Sequence, residues 1–159
     1  MTGSLIVGGA LAVLLISQCG GEQDRTVMSV DICDLMHRPG DYLGKIVRVQ
    51  GEVYSGWSKN ERPVAEFSIK QPFSSVRCLA QLKVVLPERV KPSTGIELRR
   101  DDAFKKLDQA LHTSMTIAAT FQGKFESTAK TTAGKLRQSD LRLVLQQVSD
   151  VDAHVVYNK

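Results

Sequence analysis

A small, mainly β domain is what this 159-residue chain predicts. Three observations point there. First, the stretch from Tyr42 to Tyr54 alternates: Val47, Val49, Gly51 and Val53 fall on one face, and Ile46, Arg48, Gln50 and Glu52 on the other. Alternation with one apolar face is the mark of a half-buried strand. Second, a glycine sits on the inward face of that strand, Gly51, and another on the inward face of a later one, Gly123. An inward glycine marks a tight bend or a close backbone approach, which a strongly coiled barrel requires. Third, the predicted elements run as three strands, a helix, then two strands.

Taken in order, residues 1–21 carry no charged side chain, and Leu5 to Ile16 is an unbroken apolar run. That run is too short for a comfortable membrane span and has the length of a signal-peptide core. Residues 1–21 therefore read as a signal peptide or an N-terminal anchor. Leu15-Ile16-Ser17-Gln18-Cys19 resembles a bacterial lipobox, with Gln18 where a small residue belongs. Cys19 is the lipidation candidate, and plain signal cleavage that discards it is the alternative. Residues 22–28 read as a tether, and residues 29–159 as the domain.

Ser29 is the expected N-cap of a short covering helix, with Asp31 in its first turn and Ile32, Leu35 and Met36 as its apolar stripe. Pro39-Gly40 ends it. Lys45 to Trp57 is the first barrel strand, Val64 to Lys70 the second and Cys78 to Leu86 the third, ended by Pro87. A loop continues to Arg100. Asp101 caps a helix over Asp102 to Thr113, where Phe104, Leu107 and Leu111 give helical periodicity. Met115 to Phe125 is the fourth strand. Ser127 to Asp140 is a polar loop, and Leu141 to Val148 the fifth strand, with Val151 to Tyr157 as a final edge segment. Alanine at Gly51 or Gly123 should crowd the barrel wall, whereas Gly95, in a loop, is expected to matter less.

Ser29-Val-Asp-Ile-Cys-Asp-Leu-Met, then Pro39, then Tyr42-x-Gly44-Lys45-x-Val47-x-Val49-x-Gly51-x-Val53 resembles the opening of a group of secreted bacterial OB-fold proteins. The resemblance is specific over about Ser29 to Val53 and returns as a pattern in the last third. It implies a five-stranded OB-fold-like barrel and no catalytic residues, since the group has no agreed ones to transfer.

Export leaves Cys33 and Cys78 as the only cysteines of the mature chain. In an oxidising compartment two such residues most often form a disulfide. The alternative is a pair of buried thiols filling core space. OB-folds bind ligands across their second and third strands, between the loops after the first and fourth. Here those loops supply Trp57, Lys59, Arg62, Lys130, Lys135 and Arg137 as ligand-loop candidates. Trp57 is either a stacking platform or a barrel-end plug, and the basic residues are either ligand contacts or solvated surface. Single-stranded nucleic-acid binders pair a basic groove with several stacking aromatics. Aromatics are only 6% of this chain and the net charge is +4. A nucleic-acid-binding OB-fold protein using loops 57–63 and 127–140 is therefore the alternative rather than the first reading.

His37, His112 and His154 are dispersed, with no partner spacing for a triad or a metal set. There is no G-x-S-x-G elbow, G-x-G-x-x-G or P-loop. No catalytic residue, metal ligand or cofactor site is expected. The first reading is an exported, non-enzymatic binding or structural protein of the cell envelope, periplasmic or membrane-anchored. Its partner would be an envelope protein or a small ligand.

Overall fold

The computed structural model describes residues 26–55, 65–72, 78–92, 94–113, 115–129 and 136–155. Six strands and two helices follow in the order β1 (Met28–Ser29), α1 (Ile32–His37), β2 (Ile46–Ser55), β3 (Glu66–Lys70), β4 (Gln81–Val85), α2 (Asp102–Leu111), β5 (Met115–Ser127) and β6 (Leu141–Val155). The hydrogen-bonded order is β1-β2-β3-β4-β6-β5, and β5 returns to pair with β2. That closure makes β2, β3, β4, β6 and β5 a five-stranded barrel with β1 outside it. Every barrel pairing is antiparallel except β4 with β6. Three strands, a helix, then two strands, with the third and fifth parallel, is OB-fold-like connectivity.

The alternation of β2 is realised. Val47, Val49 and Val53 are buried with Phe67 and Ile69 of β3, Leu82 and Val84 of β4, Ile117 and Phe121 of β5, and Leu143 and Leu145 of β6. Phe67 and Phe121 meet across the barrel with ring centroids 5.7 Å apart. Leu107 and Leu111 of α2 close one end. Asp101, not part of the helix, caps it by accepting a hydrogen bond from the Phe104 N–H at 3.1 Å.

The barrel bends where the inward glycines predicted. β2 pairs with β5 from Ile46 to Glu52 and with β3 from Glu52 onward, so Gly51 lies beside the change of partner. Gly123 pairs with Leu145 while Gln122 pairs with Gln147, which leaves Gln146 as the extra residue of a bulge. There β6 comes so close that a Cβ on Gly123 would enter the Val144 carbonyl. Bulges bend the strand that carries them and raise its twist.

Several boundaries differ from the sequence reading. Ser29 does not cap α1. It lies in β1, because Met28 and Ser29 find the free edge of β2 opposite Val47 and Arg48. The cap is Asp31, whose Oδ1 accepts from the Asp34 N–H at 2.7 Å. The third barrel strand begins at Gln81 rather than Cys78, and Cys78 is bonded to Cys33 of α1 instead. The segment from Val151 is no separate edge piece. β6 runs through it to Val155 by way of a second bulge, with Asp150 at φ 52°. Asp is among the few non-glycine residues that tolerate this region.

The stretch read as a loop from Pro87 to Arg100 does more than connect. Val90 and Ile96 pack on Ile46, Val85 and Val144, which face outward from the barrel, to form a second small core joined by Val27. The Arg99 N–H also donates to the bulged Gln146 carbonyl at 2.7 Å. This segment is a strap over the parallel β4–β6 seam.

Candidate binding face of the barrel

The outward residues of β3 and β4 form one surface. Glu66, Ser68 and Lys70 lie opposite Val85, Lys83 and Gln81 respectively. Since side chains alternate across a strand, Phe67 and Ile69 turn inward and leave their neighbours to solvent. A shallow depression of about 590 Å³ lies on this surface, floored by Ser68, Gln81 and Lys83 and rimmed by Leu79, Gln138 and Ser139. Leu79 is 94% exposed, the one large hydrophobic side chain so exposed among the described residues.

The rim is held firmly. The base of the loop between β5 and β6 is closed by the Thr128 N–H donating to the Asp140 carbonyl at 2.7 Å. The Gln138 side chain donates from Nε2 to the Gln81 carbonyl at 2.8 Å, fastening that loop to the start of β4. Arg137, the residue before Gln138, is exposed, and its backbone N–H donates to Asp140 Oδ2 at 3.1 Å.

The charges on this face are paired. Lys83 Nζ lies 3.0 Å from Glu66 Oε2, and Lys70 Nζ lies 3.8 Å from Glu52 Oε2. The four formal charges cancel, so the β3–β4 surface is no basic track. None of its outward strand residues is aromatic. What it offers is a polar floor with one exposed leucine at its margin, suited to a partner with apolar and hydrogen-bonding groups.

Of the residues singled out in the sequence, Cys33 and Cys78 are joined, with S–S 2.07 Å and Cα atoms 5.8 Å apart. The bond ties α1 to the segment before β4. A second link runs alongside it, as the Ile32 N–H donates to the buried Gln71 Oε1 at 3.0 Å. Arg137 is exposed beside Gln138 and does not line the depression. Cys19, Trp57, Lys59, Arg62, Lys130 and Lys135 lie outside the described residues. Leu79, Gln81 and Gln138 were missed. Leu79 reads as part of the third strand, and the start of that strand at Gln81 leaves it outside the sheet and exposed.

The histidines do not converge. His154 Nε2 pairs with Asp152 Oδ2 at 2.8 Å on the surface, and His37 is exposed at the end of α1. His112 is largely enclosed at the end of α2, with Asp108 Oδ1 3.7 Å from its Nε2. Neither of its ring nitrogens makes a hydrogen bond. Among the described residues no three His, Cys, Asp or Glu side chains are grouped to hold a metal. No helix among them is long and apolar enough to cross a membrane.

No protein-family model matches this chain, and no curated protein matches it. Among solved structures the chain is similar to OBody AM3L09 bound to hen egg-white lysozyme. The likeness has 16% sequence identity, covers 72% of this chain and 88% of that one, and has a TM-score of 0.43. The fold assignment rests on the strand order and pairings, and this likeness adds nothing to it.

Proposed function

We propose that this chain is an exported, non-enzymatic OB-fold protein of the bacterial cell envelope that binds a partner across β3 and β4. The observation that carries the reading is the Cys33–Cys78 disulfide. Such bonds persist in oxidising compartments and are rare where thiols are kept reduced. A charge-free leader with an apolar run from Leu5 to Ile16 supplies the route out. The partner is an envelope protein or small ligand that meets Leu79 and the polar floor between the two loops. A nucleic-acid ligand draws no support from this face, because Lys70 and Lys83 are already answered by Glu52 and Glu66. Phosphate tracking needs cations free to release counterions.

Cell fractionation with intact-mass analysis of the native protein tests this. The mature chain should begin between Cys19 and Glu22 and lie outside the cytoplasm. A diacylglycerol mass on Cys19 would select the lipid-anchored form. A chain beginning at Met1 and recovered from the cytosol would overturn the proposal.

A further inference from the structure

The second core, on the outside of the barrel, is surrounded by cations. Lys124 lies opposite Ile46 on one side and Val144 on the other, both members of that core. Lys45 and Lys91 adjoin its Ile46 and Val90 in sequence, and both are exposed. Arg48, on the same face of β2 as Ile46, stands apart from these lysines: its guanidinium is bound to Gln122 at 2.9 Å, and it lines a depression with Asp31, Asp34 and Asp150. Lys45, Lys91 and Lys124 make no ion pair with the described residues. The nearby carboxylates are mostly taken, Glu88 by Arg100, Asp101 by Arg99 and Glu126 by Arg142. Glu97 alone in the strap stands outside an ion pair. This contrasts with the β3–β4 face, where the charges cancel.

The N-terminal segment enters at the same place, since Val27 packs into this core. Thr26, the first described residue, stands next to Val27 at the edge of this ring of cations, and the apolar run of the sequence ends at Ile16. Even fully extended, the stretch from Ile16 to Val27 reaches at most about 40 Å. A membrane holding the leader would thus lie within reach of these lysines. Anionic headgroups attract such residues only at close range, within about 8 Å at physiological salt.

We propose that Lys45, Lys91 and Lys124 dock the domain against anionic phospholipid headgroups at the root of its N-terminal anchor. This rests on the export reading, in the form that keeps the N-terminus attached to the membrane. It leaves the β3–β4 face for the partner.

Flotation of the full chain with phosphatidylcholine vesicles, and with vesicles containing phosphatidylglycerol, tests it. The apolar leader enters both, and the ring acts only in the second. Each basic residue at an anionic surface is worth about fivefold in partition, so three contribute about a hundredfold. The variant Lys45→Gln, Lys91→Gln, Lys124→Gln should lose most of the preference for phosphatidylglycerol while keeping its thermal midpoint. The variant Arg38→Gln, Lys105→Gln, Lys106→Gln removes the same charge elsewhere and should keep the preference. Equal preferences in wild type and ring variant, or equal loss in both variants, would overturn the docking and leave export untouched. Single-stranded DNA held more tightly than vesicles, and released by the ring variant, would overturn it in favour of nucleic acid. A cytosolic, unprocessed chain would overturn export whatever the vesicles show.

Discussion

Replacing Gly123 with alanine should be among the most damaging single methyl additions in this protein. The added Cβ would enter the Val144 carbonyl oxygen and lie 2.9 Å from its carbon and 3.2 Å from Leu143 Cγ. The first two atoms are backbone of the neighbouring strand, so no rotamer change relieves the crowding. β5 and β6 must separate at the bulge around Gln146, whose carbonyl also holds the strap through the Arg99 N–H. Overpacking of a dense core costs about 1–3 kcal/mol, and this site belongs at the upper end, about 3 kcal/mol. Gly51→Ala meets Ile69 Cδ1 at 3.0 Å, Ile69 Cβ at 3.1 Å and the Lys70 carbonyl oxygen at 3.3 Å. The Cδ1 tip can rotate away but the Cβ and the carbonyl move only with β3, by a few tenths of an ångström, so about 2 kcal/mol is expected there. Gly95→Ala meets nothing within 4 Å but has φ +68°. An L-residue in that left-handed region costs about 1–2 kcal/mol, so Gly95 is not the tolerant position that its place in a loop suggested. Urea denaturation reads all three, since 3 kcal/mol moves the midpoint by about 1–3 M. A Gly123→Ala protein within about 0.5 kcal/mol of wild type would refute the claimed approach of β6 at this glycine.

Other consequences follow from particular contacts. Cys33→Ala with Cys78→Ala opens a link across 45 residues of sequence, and the chain-entropy account gives a loss of about 4 kcal/mol by chemical denaturation. Gln71→Ala leaves the Ile32 N–H buried without its acceptor and should cost about 1–3 kcal/mol in thermal or urea unfolding. Asp101→Ala removes the side-chain cap of α2 and should cost about 1 kcal/mol by the same assays. Lys83→Ala breaks an exposed ion pair with Glu66 and should change stability by less than about 1 kcal/mol. Any larger effect of Lys83→Ala on capture of an envelope partner would then belong to the binding face.

The strands are legible because each presents one face to a shared core, while their closure into a barrel comes from the element order and the resemblance. Period-two alternation at Val47, Val49 and Val53, and again at Ile117, Ala119 and Phe121, required only that rule. The helix between the third and fourth barrel strands was legible from its cap and its apolar spacing. What escaped was structure made by distant contacts. Nothing near Ser29 states that β2 has a free edge for Met28 and Ser29 to join, so the helix start was placed too early. Val90 and Ile96 read as loop residues because their partners, Ile46, Val85 and Val144, occupy positions that alternation assigned to solvent. Of the candidate site, the disulfide was legible from count and compartment. The paired charges of the β3–β4 face were not, because Glu52, Glu66, Lys70 and Lys83 meet only through cross-strand register.

The redox state of Cys33 and Cys78 in the protein as cells make it tests the central claim most directly. Cells would be quenched in acid, free thiols alkylated, and the non-reduced protein mapped by peptide mass. An exported barrel closed over its N-terminal helix predicts a Cys33–Cys78 cross-linked peptide and no alkylation at either position. Two alkylated thiols on protein taken from an envelope fraction would contradict it.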